Sequence, residues 1–175
     1  VGAAVGWYKR EFDSMGVDFH QRGKIMEQSL EIINRLWTED KVDGDYPPYK
    51  LRGAVLYPKP VQKPYPPIVF GGEGTPALKR VAEIGDGWFG VNVTPEDAAA
   101  KIARIKQYAQ AAGRGSVKFS FAISPGIGSP IEMDMVKRYR DAGVARLIFN
   151  LPSAKSSEVL PVLDRCVELM RQVQS

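Results

Sequence analysis

The chain reads as an α/β protein built on a parallel sheet, and three observations predict it. Short apolar runs recur along the 175 residues, each followed by a segment of helical periodicity. Two helix starts carry one signature, Thr94-Pro95-Glu96-Asp97 and Ser129-Pro130-Ile131-Glu132, each a capping hydroxyl followed by Pro and an acid. The apolar run Ile68-Val69-Phe70 passes through Gly71-Gly72-Glu73-Gly74 straight into a helix. Strands alternating with helices of about 10–18 residues imply a parallel sheet with right-handed crossovers.

The elements follow in order. Residues 1–7 (VGAAVGW) are small, apolar and Gly-punctuated, a buried strand whose end approaches something closely. Residues 8–21 form a loop or short helix that Gly16 breaks. Residues 22–37 form a helix whose stripe is Ile25, Met26, Ser29, Leu30, Ile33, Leu36 and Trp37, explained by core packing. Residues 38–67 are a Pro-rich excursion holding seven of the thirteen prolines, which exclude a helix and disfavour a central strand. Short extended pieces are expected there at 49–51 and 54–57. After the strand at 68–70 come a helix at 76–84, a strand at 86–91 and a helix from 95 to 112. A strand at 117–124 alternates Phe119, Phe121 and Ile123; a helix then runs to Ala142, a last strand spans 144–150, and a helix capped by Ser156 or Ser157 reaches Val173. These make five β/α units in a single domain, 1–175. Two architectures fit: a doubly wound sheet, or part of a (β/α)₈ barrel, which needs eight units and typically about 250 residues.

Composition narrows the function classes. The net charge is +4, but acids and bases are interleaved and no basic block stands apart, so nucleic acid is not indicated. The one cysteine, Cys166, lies in an apolar helical pattern; it excludes an internal disulfide and fits a reducing, cytoplasmic compartment. The one histidine, His20, sits in a polar stretch that suits the surface, and one His with one Cys cannot build a zinc site of the usual kind, so no metal is expected. No apolar run approaches about 20 residues, so nothing is expected to span a membrane, and no signal peptide is visible.

The glycine turn is the most informative segment. A strand, small residues and a helix N-terminus together form an anion site, because the backbone approaches closely, free N–H groups point outward and the helix dipole favours negative charge. Thr75 suits the N-cap and Pro76 the first helical position. A cofactor phosphate is the natural guest; a plain strand-to-helix turn that needs glycine for its geometry is the alternative. The segment matches neither G-x-x-x-x-G-K-[ST] nor G-x-G-x-x-G.

Three blocks in order then carry a resemblance. The first holds Gly6-Trp7, Glu11-Phe12, Gly16, Phe19, Arg22 and Leu36-Trp37; the second is YPKPVQKPYPPIVFGG, 57–72; the third is AEIGDGW, 82–88, followed by the Thr-Pro-Glu helix start. Together they cover about half the chain, which resembles the bacterial luciferase-like monooxygenase superfamily, more narrowly its flavin- or coenzyme F420-dependent oxidoreductases. The resemblance implies a (β/α)₈ barrel in which residues 1–7 are the fourth strand and VARLIFN, 144–150, the eighth. The first three units are then missing, and the chain, which opens on Val, is expected to be a C-terminal fragment, a truncated relative or part of a longer protein.

The activity implied is hydride transfer through coenzyme F420, or alternatively FMN, to or from a small organic substrate. The alternatives are an FMN-dependent monooxygenase of the same fold and a truncated, non-catalytic barrel that serves as an interaction module. Gly71, Gly72, Gly74 and Thr75 are implied to hold the cofactor phosphate. Glu73 departs from this, since a carboxylate repels a phosphate unless it points away; Lys79 and Arg80, one turn on, would offset it. Trp7 ends the first strand and either walls the ring pocket or is an ordinary core residue. Trp88 and Asn92 follow the next strand's course, and Ser124 and Asn150 end later ones, on the face where barrel sites lie. Asp86 precedes its strand and reads as a structural turn. No general base is identified, so the catalytic residues are left unassigned. An open sheet bares two edges, at 1–7 and 144–150, and bare edges invite pairing. A homo-oligomer, or cover by a missing N-terminal half, is therefore expected.

Overall fold

Strands and helices alternate along the second half of the chain as the periodicity predicts. The structure is a computed structural model and describes residues 1–126, 128–129 and 132–174. Pro130 and Ile131, part of an expected helix start, lie outside the described residues. Contacts gather into two compact units, Val1 with Ala3–Pro67, and Gly2 with the chain from Ile68 onward. The Pro-rich excursion thus belongs with the helices before it.

At the start of the chain the extended run is shorter than expected: β1 is Gly2–Ala3. Gly6 adopts φ +77°, which ends extended backbone, and a Cβ there would lie 3.0 Å from the Phe12 ring. Trp7 therefore lies beyond the strand. α1 (Lys9–Ser14), a 3₁₀ turn (Phe19–Gln21) and α2 (Arg22–Thr38) follow. The excursion folds into an antiparallel hairpin of β2 (Val42–Tyr46) and β3 (Tyr49–Ala54), where only short extended pieces at 49–51 and 54–57 are expected. Pro47 and Pro48 occupy its two-residue loop, outside the paired positions Tyr46 and Tyr49, so they remove no ladder hydrogen bond. Arg35 ties α2 to this hairpin. It forks onto both carboxylate oxygens of Glu39 (2.7 and 2.8 Å) and donates to the Asp43 carbonyl (3.0 Å) and the Tyr46 hydroxyl (2.8 Å). These bonds hold the Glu39 carboxyl below its usual range and raise Arg35. Lys59 closes the helix C-terminus by donating to the Leu36 and Glu39 carbonyls, at 2.7 and 2.5 Å.

The second unit comprises β4 (Val69–Gly71), α3 (Thr75–Ile84), β5 (Gly87–Val91), α4 (Pro95–Ala111), β6 (Ser120–Ser124), α5 (Met133–Asp141), β7 (Arg146–Leu147) and α6 (Ser156–Gln174). β4, β5, β6 and β7 pair in parallel, and the sheet order is β1-β4-β5-β6-β7. Each β/α unit sets its strand beside the one before it. A doubly wound sheet reverses its order at a switch point, and the described strands show no reversal. One-directional addition is the pattern of a (β/α)₈ barrel, so the order decides between the two architectures in favour of a partial barrel. The core holds Ile68, Phe70, Leu78, Val81, Trp88, Ile105 and Ile123, all buried.

Boundaries differ where the sheet or a cap is weak. β6 begins at Ser120 rather than 117. β7 is two residues rather than seven; the Ala145 and Ile148 N–H groups add bonds to the Phe121 and Ile123 carbonyls (both 2.9 Å), and a strand with one neighbour has half the ladder to hold it. At α4 the expected cap forms, with the Thr94 hydroxyl accepting from the Asp97 N–H at 3.2 Å. At α5 Ser129 is not the cap: its hydroxyl donates to the Pro125 carbonyl (2.8 Å), and Glu132 holds the N-cap position.

Candidate functional site

Parallel strands end on one common face, and the glycine turn lies there, between the end of β4 and the start of α3. Gly72 adopts φ +107°, and a Cβ at that position would lie 3.0 Å from the Ala77 methyl, so only glycine fits without strain. The helix N-cap is Gly74, at φ −76° and ψ 156°, with Thr75 already in the first turn. This corrects the expected cap: with the helix entered one residue earlier, the Thr75 hydroxyl caps nothing.

Among the described residues the N–H groups of Gly72, Glu73, Gly74 and Thr75 make no hydrogen bond. At Gly74 a Cβ would meet nothing nearer than Pro76 Cδ at 3.8 Å. Successive unpartnered donors at the positive end of a helix dipole fit a phosphate. The Gly71, Gly72, Gly74 and Thr75 of the sequence argument are thus contiguous at one turn.

Glu73, which stands against a phosphate in the sequence, has a definite position. Its Oε1 accepts the Val91 N–H at the end of β5, 3.0 Å away. Lys79 is not turned onto the anion site: its ammonium lies 5.7 Å from the Tyr108 ring centroid, on α4.

The two tryptophans divide. Trp88 is fully buried, so its ring offers a ligand no free face. Its indole N–H donates to the Gly72 carbonyl at 2.9 Å, which ties β5 to the turn. Trp7 belongs to the first unit, is 84% exposed and tilts against Tyr8 with ring centroids 5.4 Å apart. Neither the Trp88 bond nor the Glu73 bond is marked in the sequence, because each joins residues sixteen or more apart.

The other strand ends also converge. Asn92 takes left-handed backbone at φ 55° and donates its N–H to the Ser124 carbonyl (2.9 Å). The Asn150 amide donates to the Ser124 hydroxyl at 3.0 Å, and Ser124 is 4% exposed. Beside Asn92 a cavity of about 330 Å³ opens between the start of α4 and α5, walled by Thr94, Ser129, Arg138 and Tyr139. Tyr139 donates its hydroxyl to the Val93 carbonyl at 2.5 Å, and burial raises its pKa. Arg138 meets Glu96 at 2.7 Å, which holds the Glu96 carboxyl low and Arg138 high. At the opposite strand ends Asp86 accepts the Ile68 N–H at 2.8 Å and its carbonyl accepts from the Ser120 N–H at 3.0 Å, a tie across three strands. No cluster of three or more metal-ligating groups occurs among the described residues, and no helix there is long and apolar enough to cross a membrane.

A family model described as luciferase-like monooxygenase matches residues 1–131. The chain belongs to that family. An uncharacterized protein of Mycobacterium tuberculosis is 31% identical over 166 residues, 93% of this chain and 56% of the relative. The chain thus spans little more than half the length of that relative. The FMNH₂-dependent dimethylsulfone monooxygenase of Pseudomonas putida is 29% identical over 118 residues, 65% of this chain and 32% of that enzyme. Among solved structures, the coenzyme F420-dependent tetrahydromethanopterin reductase of Methanopyrus kandleri matches with a TM-score of 0.69 at 16% identity, over 95% of this chain and 73% of that one. At that identity the match speaks for the fold. It agrees with the strand order in placing the sheet in a luciferase-like barrel.

Proposed function

We propose that this chain carries the phosphate-holding part of a luciferase-like oxidoreductase that uses coenzyme F420, with FMN as the alternative, to transfer hydride to or from a small organic substrate. The observation that carries the reading is the run of unpartnered N–H groups from Gly72 to Thr75 at the head of α3. Its setting in a luciferase-like chain supports a cofactor phosphate as the guest, and the flavin- and F420-dependent relatives name the class of cofactor. The chemistry supplied by the bound cofactor is hydride transfer. The chain's own part is to bind and orient: the Gly72, Glu73, Gly74 and Thr75 N–H groups and the Thr75 hydroxyl donate to the phosphate, and the buried Trp88 keeps the turn in place.

The test removes one donor without disturbing the helix. Gly74 has the extended backbone that a residue before proline requires, and Thr75 stands in the first helical turn, where proline is well placed. Thr75→Pro therefore deletes an N–H and a hydroxyl, while Thr75→Ala deletes the hydroxyl alone. Titration of the three proteins with coenzyme F420 and with FMN should show Thr75→Pro at least about tenfold weaker than Thr75→Ala, as a hydrogen bond to a charged group contributes about 1.5–3 kcal/mol. Equal affinities in equally stable proteins would exclude the turn as the phosphate site. Absence of binding by the unaltered chain would favour the non-catalytic reading.

A further inference from the structure

We propose that Glu73 makes the glycine turn select a singly charged phosphodiester over a doubly charged phosphomonoester. The inference rests on the phosphate reading above and sharpens it toward coenzyme F420, whose phosphate is a diester, and away from FMN, whose terminal phosphate is a monoester. Of the five residues from Gly71 to Thr75, Glu73 alone carries a charge. Its carboxylate is held in place by the 3.0 Å bond from the Val91 N–H. The turn beneath it is also held, by the left-handed Gly72 and by the 2.9 Å bond from the Trp88 indole. The carboxylate is thus tied to the end of β5 while its backbone stays in the turn.

The donors assigned to the anion are backbone N–H dipoles and the neutral Thr75 hydroxyl, and the helix N-terminus contributes about half a positive charge. The Lys79 ammonium is directed to the Tyr108 ring on α4. A phosphate of one charge is served by these dipoles. A second charge adds repulsion from Glu73, and Coulomb energy grows in proportion to the charge on the ligand whatever the separation. A terminal phosphate monoester carries about −1.5 to −2 near neutral pH, so the carboxylate opposes it about 1.5 to 2 times as strongly as a diester on a logarithmic scale of affinity.

Glu73→Gln isolates the charge, because glutamine keeps a carbonyl oxygen for the Val91 N–H. The whole chain and this variant are titrated by fluorescence with coenzyme F420, FMN and riboflavin, the last having a ring but no phosphate. If the substitution tightens F420 about threefold, it should tighten FMN about five- to ninefold and leave riboflavin unchanged. Equal gains for F420 and FMN, no gain for either, or the same gain for riboflavin would overturn the charge selection while leaving the phosphate site standing. Binding of neither phosphorylated cofactor by either protein would overturn the phosphate site and the selection with it.

Discussion

The indole N–H of Trp88 and the carbonyl of Gly72 show how one buried residue sets the geometry of an exposed turn. Trp88 has no solvent contact, and its 2.9 Å bond reaches from β5 to the residue after β4. Gly72 in turn needs its left-handed backbone to present that carbonyl inward and the following N–H groups outward. Trp88→Phe keeps most of the apolar volume but strands the carbonyl. A fully buried acceptor left unpaired costs about 1–3 kcal/mol and this part-buried one less, while the smaller ring leaves a void that adds to it. We expect Trp88→Phe to lower unfolding stability by about 2 kcal/mol or more in denaturant titration, and to weaken cofactor binding beyond that of Thr75→Ala. An unchanged midpoint would mean that the indole bond does not hold the turn. Glu73 shows the same dependence on a distant partner, since the sequence sets its charge against a phosphate but leaves unmarked the Val91 N–H that fixes where the charge stands.

Elements were legible in proportion to how local their causes are. The Thr94 cap, the Gly-rich exit from β4 and the alternation from β4 through α6 depend on neighbours a few residues apart, and they form close to where the spacing puts them. The β2–β3 hairpin was obscured because prolines weigh against strands in general, while here Pro47 and Pro48 sit in the loop. A signal was present in Val42, Gly44 and Tyr46, which alternate, with Val42 and Tyr46 buried. The joint between α4 and α5 has no local cause at all. It combines an exposed pair, Glu96 with Arg138, and a buried one, the Tyr139 hydroxyl on the Val93 carbonyl. Exposed ion pairs contribute little, whereas deleting a buried donor leaves its acceptor unpaired. Tyr139→Phe should therefore cost about 1–2 kcal/mol, and Glu96→Gln much less. The pH dependence has opposite signs at the two sites. Arg138 lowers the folded pKa of Glu96, so its contribution is present above the ordinary 4.5 and is lost as pH falls through the lowered value. Burial raises the folded pKa of Tyr139, so its contribution is present below the ordinary 10.0 and is lost as pH rises through the raised value. The stability gap between the unaltered chain and Tyr139→Phe should accordingly narrow above pH 10, as measured by denaturant titration across pH. A gap that is constant through alkaline pH would disprove this assignment.

For the whole molecule the governing fact is an open sheet edge with apolar surface beside it. Among the described residues β7 is last in the sheet order and has a partner strand on one side only. Next to it a groove of about 640 Å³ runs between α5, β7 and α6, lined by Val136, Leu147, Phe149, Leu169 and Val173. From Met170, which also lines the groove, the apolar surface of α6 continues to solvent, with Leu160 54%, Leu163 43% and Met170 53% exposed. Positions 160, 163 and 170 fall on one side of a helix, so this is a continuous stripe rather than scattered exposure. Unpaired strand edges and contiguous apolar patches both favour association. The chain also spans only 56% of its Mycobacterium tuberculosis relative, so a chain of that length has further residues that can cover such an edge. We propose that the 175-residue chain on its own covers this face with a second copy of itself. Sedimentation of the purified chain should then give a mass above 19.3 kDa that grows with concentration. Leu163→Glu combined with Met170→Lys places two charges about two turns apart on α6, away from the glycine turn, and should return the chain to monomer while leaving Thr75-dependent cofactor binding intact. A monodisperse 19.3 kDa monomer with slow amide exchange in β7 would show instead that the edge is stable uncovered.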